Sequence, residues 1–281
     1  MINVNGKLVS TTALAIENNR GFLYGDAVFE TVRVLDNNVL FAEDHYFRLM
    51  SSMRIMRMEI PMHFTLENFQ AEIIKTVDAS ATKAKAFRVR FTVYREAVGK
   101  YLPQENKTIG FIATAEMLED AVYPFQDQPY EVELYKDFYI AANLLSTVKT
   151  TNRAVNVLAS IFAAENDYQN CLLVNDKKNI IEAVNGNLFV VSQNTIKTPS
   201  LDEGCIKGVM RKQIIELIGK HPDYTLEEGT ISPFELQKAD EIFITNVIAG
   251  IQPVTKYRKK TFTTQVAKDL LDRLNAKIRL M

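Results

Sequence analysis

Residues 116–129, EMLEDAVYPFQDQP, carry two prolines and four acids and show neither helical nor alternating apolar spacing. In a chain of 281 residues this break constrains the fold most, because it leaves two blocks, each long enough to be a domain. At roughly 150 residues per domain, length alone also gives about two. The sequence therefore predicts an N-terminal domain over 1–118, a linker over 119–126 and a C-terminal domain over 127–281.

Both blocks mix strand and helix signals. In the first, Met1–Val4 and Lys7–Val9 flank Asn5-Gly6, a strong hairpin dipeptide, and Ala27–Val34 is rich in valine and aromatic residues, with a return strand expected at Val39–Phe41. Tyr46, Leu49, Met50, Met53 and Met56 fall at helical spacing, and a second helix is expected over Leu66–Val77, ended by the polar stretch Asp78–Lys83. AFRVRFTVYR, at 86–95, alternates as a half-buried strand does, with Thr108–Ala115 as its neighbour and a turn-rich run, Glu96–Lys107, between them. The second block reads as strands at Tyr130–Tyr135, Cys171–Val174, Asn187–Val191 and Glu241–Thr245, with helices near 152–165, 208–218 and 264–277. No internal repeat is visible. The fold class expected is α/β (α+β), two domains with one sheet each.

Charge excludes some functions. Thirty-three Lys and Arg balance 34 Asp and Glu, so the chain lacks the basic excess of a nucleic-acid binder. Two isolated cysteines, Cys171 and Cys205, support neither a disulfide framework nor a thiolate zinc site, and three scattered histidines argue against a histidine zinc site. With no membrane-spanning apolar run, a cytoplasmic protein without membrane partners is expected.

Dinucleotide, P-loop, zincin and esterase motifs are all missing. Four features remain. Lys149 follows an apolar stretch and precedes a helix in LLSTVKTTNRAVNVLAS; Glu182 lies inside the apolar run IIEAVNGNLFVV; Gly208 opens a helix in IKGVMRKQIIELIGK; Arg48 sits in the helix DHYFRLMSSMRIM. Each alone has an ordinary structural explanation. Together they supply an amine, a carboxylate that can face a protonated ring nitrogen, and donors for a phosphate, which is what pyridoxal 5'-phosphate needs.

The whole chain resembles the fold-type-IV pyridoxal-phosphate enzymes, the class IV aminotransferases, among them branched-chain aminotransferase, D-amino acid aminotransferase and aminodeoxychorismate lyase. NNRGFLYGDAVFETVRV at 18–34 looks like the family's N-terminal signature, DHYFRLMSSMRIM its arginine helix and IIEAVNGNLFVV its glutamate segment. LDEGCIKGVMR at 201–211 resembles its phosphate turn and ITNVIAGIQPV at 244–254 its last cofactor loop. The resemblance implies pyridoxal 5'-phosphate held in a cleft between the two domains, and a homodimer. It implies that Lys149, in the C-terminal domain, is the Schiff-base lysine, Glu182 the partner of the ring nitrogen and Arg48 a phosphate ligand. Val209 and Met210 match positions that give backbone N–H groups to the phosphate, and Asn246 and Val247 match its last contact loop.

Three departures stand out. Val247 replaces the threonine common in branched-chain aminotransferases and can offer only backbone there. Phe29 stands where D-amino acid aminotransferase has a tyrosine, and Ala154 where bacterial branched-chain aminotransferases have one. Arg95 and Lys100 are candidates for pairing with a substrate carboxylate, Lys100 falling where aminodeoxychorismate lyases carry arginine, while Tyr101, Asn152 and Arg153 are candidates for shaping the pocket. The expected activity is an amino-acid:2-oxoacid aminotransferase acting on branched-chain or other apolar amino acids and their 2-oxoacids. Aminodeoxychorismate lyase, which releases pyruvate and 4-aminobenzoate, is the alternative.

Overall fold

A computed structural model describes residues 1–11, 14–80, 82–105 and 108–281. Residue 81, inside the polar stretch expected to end the second helix, and residues 106–107, at the end of the turn-rich run, lie outside the described residues. The chain forms two compact units, Met1–Ala121 with Val148–Asn152, and Val122–Thr147 with Arg153–Met281.

The first unit opens with β1 (Ile2–Val4) and β2 (Lys7–Val9), joined through Asn5 and Gly6, both at positive φ as the hairpin dipeptide requires. The short helix α1 (Arg20–Tyr24) is capped by Asn19, whose side chain accepts from the Phe22 N–H, and is ended by Gly25 in the left-handed conformation. Then come β3 (Ala27–Leu35), β4 (Asn38–Val39), α2 (Ala42–Ile55), α3 (Leu66–Asp78), β5 (Ala86–Arg95) and β6 (Ile109–Leu118). The expected strand at Val39–Phe41 stops at Val39, because Phe41 takes a left-handed conformation as the N-cap of α2.

These strands form one antiparallel sheet in the order β2-β1-β6-β5-β3-β4. Alternation decides what each face carries. Val28, Val32 and Val34 of β3 and Phe87, Val89, Phe91 and Val93 of β5 share a buried core with Leu49, Met50 and Met53 of α2 and Phe69, Ile73 and Val77 of α3. Phe91 is its hub, edge-on to Phe69 at 5.1 Å and stacked on Phe111 at 4.8 Å. The opposite face of β3 and β5 carries Phe29, Thr31, Arg88, Arg90 and Thr92, as their register requires.

The second unit contains β7 (Glu131–Ile140), α4 (Ala154–Glu165), β8 (Asn170–Asn175), β9 (Ile180–Ala183), β10 (Gly186–Ser192) and β11 (Thr195–Pro199). It continues with α5 (Val209–Gly219), β12 (Thr225–Gly229), α6 (Pro233–Lys238), β13 (Glu241–Asn246) and β14 (Gly250–Val254). The small ribbon β15 (Lys256–Tyr257) and β16 (Lys260–Thr261) and the final helix α7 (Gln265–Arg279) complete it. Its sheet runs β12-β11-β10-β9-β8-β7-β15-β16, with β13 also paired to β10 and carrying β14. Glu241 anchors α7 by accepting from the N–H groups of Gln265, Val266 and Ala267, a carboxylate at a helix N-terminus. Among the described residues no helix is long and apolar enough to cross a membrane.

Residues 148–152, inside the second block by sequence, join the first unit because they pair with β3. The Phe29 N–H donates to Lys149 O at 2.9 Å, the Thr151 N–H donates to Ala27 O at 3.0 Å, and Val28 and Thr150 form an antiparallel bridge. This pairing also explains why α4 starts at Ala154 rather than Asn152.

Candidate active site

In the first unit, the pairing with β3 sets the direction of Lys149. Opposed to Phe29, its side chain emerges on the face away from α2 and α3, and its Nζ lies 4.4 Å from the centre of the Phe29 ring. Val148, one residue earlier, points to the other face and is buried in the core. The lysine is thus held by backbone bonds on one side and a core side chain on the other, with its ammonium over an aromatic face that attracts cations.

Arg90 approaches the same ring, its guanidinium carbon 3.8 Å from the centroid. No carboxylate or carbonyl is hydrogen-bonded to it among the described residues. Burial, reinforced by Arg88, pushes its guanidinium below the ordinary arginine value. A half-buried cation with no anionic partner is costly, and here two cations lie no more than about 8 Å apart across one ring. Such an arrangement invites an anion.

Arg90 is a residue that motif reading missed, and Arg95 shows why. In AFRVRFTVYR the residues Phe87, Val89, Phe91 and Val93 define the buried face, so Arg95 falls on that face and Arg90 on the other. Arg95 is buried, donating to Asp26 Oδ2 at 2.8 Å, Asp26 Oδ1 at 3.2 Å, Arg57 O at 3.0 Å and Met56 O at 2.6 Å. It pins the end of α2 to the end of the sheet. Counting alternation from the valines to position 90 was the available signal.

Arg48 lies on α2 against Glu30 of β3. Its Nε donates to Glu30 Oε1 at 2.8 Å and its Nη2 to Oε2, while His45 Nδ1 is 2.6 Å from Oε2. Burial pushes the Glu30 carboxyl up, but Arg48 and His45 outweigh it and hold it at about 2. Burial keeps His45 below its ordinary value. The carboxylate therefore stays charged and fixes the plane of the Arg48 guanidinium. Asn152 donates to Gly25 O at 3.2 Å, so close that a Cβ at Gly25 would stand 2.1 Å from its side-chain oxygen. The Lys100 and Tyr101 carbonyls accept from Arg20, with Tyr101 otherwise exposed.

In the second unit, Glu182 is in the middle of β9 and only 4% exposed. It pairs with Asn187 of β10, which pairs in turn with Thr245 of β13, so the three polar side chains form a row across one sheet face. Glu182 Oε2 accepts from the Ile206 N–H at 2.8 Å, and Asn187 Nδ2 donates to Ile206 O at 2.8 Å. These two bonds fasten the turn that leads to α5. Gly208 is its N-cap and has no side-chain cap. A Cβ there would lie 1.9 Å from Asn187 Oδ1, so only glycine lets the turn approach. Val209 and Met210 follow as the first helical residues, whose N–H groups have no intrahelical acceptor. Arg153 precedes α4 as its N-cap residue.

The β13–β14 turn is equally fixed. Asn246 Oδ1 accepts from the N–H groups of Ile248 at 3.0 Å and Ala249 at 2.8 Å, and the buried Tyr123 hydroxyl donates to Val247 O at 2.9 Å. Beside it the Thr245 hydroxyl is buried without a hydrogen-bond partner. That orphaned hydroxyl, the uncapped N-terminus of α5 and the Glu182 carboxylate form the donor and acceptor set that a phosphorylated heteroaromatic cofactor requires, so these residues fit pyridoxal phosphate.

Residues 27–257 match the family model described as amino-transferase class IV. The chain belongs to that family. Class IV amino-transferases use pyridoxal phosphate, and this one is 26% identical over 284 aligned positions to a Methanocaldococcus jannaschii protein described as "Putative branched-chain-amino-acid aminotransferase", with 99% of this chain and 95% of the relative covered. Its fold matches the branched-chain aminotransferase of Thermoproteus uzoniensis solved with norvaline, at a TM-score of 0.85 and 21% identity over 97% of this chain and 92% of that one. It also matches the 4-amino-4-deoxychorismate lyase of Pseudomonas aeruginosa, at a TM-score of 0.82 and 22% identity over 98% of both chains. Both likenesses concern the fold alone.

Proposed function

We propose that the protein is a pyridoxal-phosphate-dependent amino-acid:2-oxoacid aminotransferase acting on branched-chain or other apolar amino acids. The observation that carries the reading is Lys149, backbone-paired to β3 with its Nζ over Phe29 and Arg90 beside it. Bound pyridoxal phosphate supplies an aldehyde that bonds covalently to amines and a ring that accepts electrons from a substrate carbanion.

Lys149 Nζ would hold the cofactor and would take up the proton lost from the substrate α carbon. Glu182 would keep a proton on the ring nitrogen. Arg48, aimed by Glu30, would hold the phosphate, as would the N–H groups of Val209 and Met210, the backbone of the Asn246–Val247 turn and the Thr245 hydroxyl. Arg90 receives the substrate carboxylate, a role assigned from its unpaired guanidinium. Asn152, Arg153, Lys100 and Tyr101 would line the substrate's approach, and Val247, Ile248 and Ala249 would supply apolar surface.

Incubating the holoenzyme with leucine, alanine, glutamate and their D forms, and following the visible absorbance of the bound cofactor, tests the reading. Conversion to the pyridoxamine form by an apolar donor is expected; conversion by none defeats it. The KTTNR and GVMR segments and the position of Lys100 also resemble the lyase subgroup. Pyruvate release from aminodeoxychorismate without any 2-oxoacid would move the assignment there. The protein is also proposed to be a homodimer, supported by large exposed apolar side chains such as Phe22, Leu102, Phe138 and Leu144. Light scattering should then give twice 31.9 kDa, and the single-chain mass would refute the dimer.

A further inference from the structure

Glu203 is only 7% exposed, and none of the chemistry above uses it. In the second unit it ends the single turn Leu201–Glu203, just before Gly204, which takes φ of +94°. Its carboxylate collects side-chain donors from two separate segments. Oε2 accepts from Asn175 Nδ2 at 2.7 Å and from Asn179 Nδ2 at 2.9 Å, the residues that open and close the β8–β9 turn, and Oε1 accepts from the Thr230 hydroxyl at 2.7 Å. Asn175 Nδ2 also donates to Glu203 O at 3.0 Å, while its Oδ1 accepts from the N–H groups of Lys177 and Asn179. Burial pushes the Glu203 carboxyl up, but Asn179, Thr230 and Asn175, with the charge of Lys177, outweigh it and hold it below the ordinary carboxylate value.

A buried carboxylate with three side-chain donors is a fixed point in the chain. Its place in the sequence gives that point a use. Three residues after Glu203, the Ile206 N–H is held by Glu182, and Glu182 in turn lies three residues after Asn179. The hairpin that carries Glu182 and the segment that leads to α5 are therefore fastened at two successive places. The bonds at Ile206 alone would leave the segment free to pivot about that residue. The bonds at Glu203 remove that freedom, and with it the freedom of the Val209 and Met210 N–H groups just beyond Gly208. The bend between the two fastenings is tight as well, since a Cβ at Gly204 would lie 2.8 Å from Ser146 Oγ.

We propose that Glu203 is a positioning residue for the cofactor phosphate: by tying the segment before α5 to the β8–β9 turn, it sets where the Val209 and Met210 N–H groups stand relative to Glu182. The proposal rests on the reading that this unit binds pyridoxal phosphate. Glu203 acts through backbone donors that only a phosphorylated ligand uses, so its loss should weaken pyridoxal 5'-phosphate and spare pyridoxal, which lacks the phosphate.

The test dialyses full-chain protein, freed of cofactor, to equilibrium against pyridoxal 5'-phosphate and against pyridoxal. Glu203→Ala should raise the Kd for the phosphorylated ligand roughly tenfold or more and the Kd for pyridoxal less than about threefold, since one misplaced charge-assisted bond costs on that scale. Thr230→Val removes one donor at an exposed position and should give a smaller rise with the same selectivity. If Glu203→Ala does not fold, the ratio of the two Kd changes in Thr230→Val decides. Glu203→Gln should stay within about threefold of wild type for both ligands, because its amide oxygen can accept from both asparagines and its amide nitrogen can donate to the Thr230 oxygen. Equal losses of both ligands would make Glu203 a merely structural residue and overturn the proposal, as would an unchanged Kd in Glu203→Ala or a Glu203→Gln variant as weak as Glu203→Ala. Wild-type protein that retains neither ligand defeats the functional reading itself, whereas wild type that binds both while the variants show no phosphate selectivity defeats the positioning role alone.

Discussion

The two units present their candidate residues in different ways. The first offers side-chain charge: Lys149 and Arg90 around Phe29, and Arg48 locked to Glu30. The second offers backbone polarity shaped by short turns, with Glu182 as the one carboxylate in a row completed by Asn187 and Thr245. Side-chain charges depend on which face of a strand they occupy, so a one-residue change of parity removes them. Backbone donors depend on a turn keeping its path, which here rests on Gly208 and on the bonds from Glu182 and Asn187 to Ile206. The first unit should therefore be sensitive to charge and the second to shape.

The largest effect expected is on the charge side. Lys149→Ala should reduce turnover by at least about 1,000-fold, because covalent attachment and proton transfer both depend on one amine. Steady-state kinetics measure this, and the melting temperature should hardly move. Glu182→Gln should lower kcat roughly 100-fold or more by losing the partner of the ring nitrogen. A drop well below tenfold would mean that the glutamate acts only through its bond to Ile206.

Two arginines of one strand sharpen the contrast further. Arg90→Met should raise KM for carboxylate substrates roughly tenfold, since one charge-assisted contact is lost, with stability nearly unchanged. Arg95→Met should destabilise the fold by about 3 kcal/mol, because it strips a partner from the buried Asp26. Urea unfolding beside KM measurements separates the pair, and the reverse pattern would refute the assignment by strand parity.

Acid stability follows from the Glu30 cluster. A carboxyl held at about 2 instead of the ordinary 4.5 binds fewer protons folded than unfolded, a difference worth about 3 kcal/mol at neutral pH. That stability is complete above 4.5 and lost as the pH falls toward 2. His45, also lowered from its ordinary 6.5, adds a loss that begins as the pH drops through 6.5. The unfolding midpoint should therefore fall in two stages on acidification, and Glu30→Gln should remove the lower one. The smallest effect concerns the thiols. Burial pushes Cys171 to about 11 and Cys205 to about 12, so iodoacetamide should modify neither in folded protein at pH near 8.

Much of this was legible in the sequence where the local signal was strong. β5 spans residues 86–95 as its alternation requires, α3 extends one residue past the helix expected from Leu66, and the turn at Gly208 opens α5. The short strands β11, β12 and β14 were not read, because five residues carry little periodicity. The placement of residues 148–152 with the first unit was not legible either, since it arises from pairing with a strand more than 100 positions earlier. Among candidate residues, Lys149 and Glu182 stood out by type and motif. Arg90, Thr245 and Glu203 did not, because what marks them is a missing partner or a set of distant donors, and both are properties of the folded chain.

Borohydride reduction of the holoenzyme, followed by peptide mass mapping, addresses the central claim most directly. A phosphopyridoxyl group on the peptide containing Lys149 is the predicted result. Its appearance on a different lysine, or on none, would contradict the account.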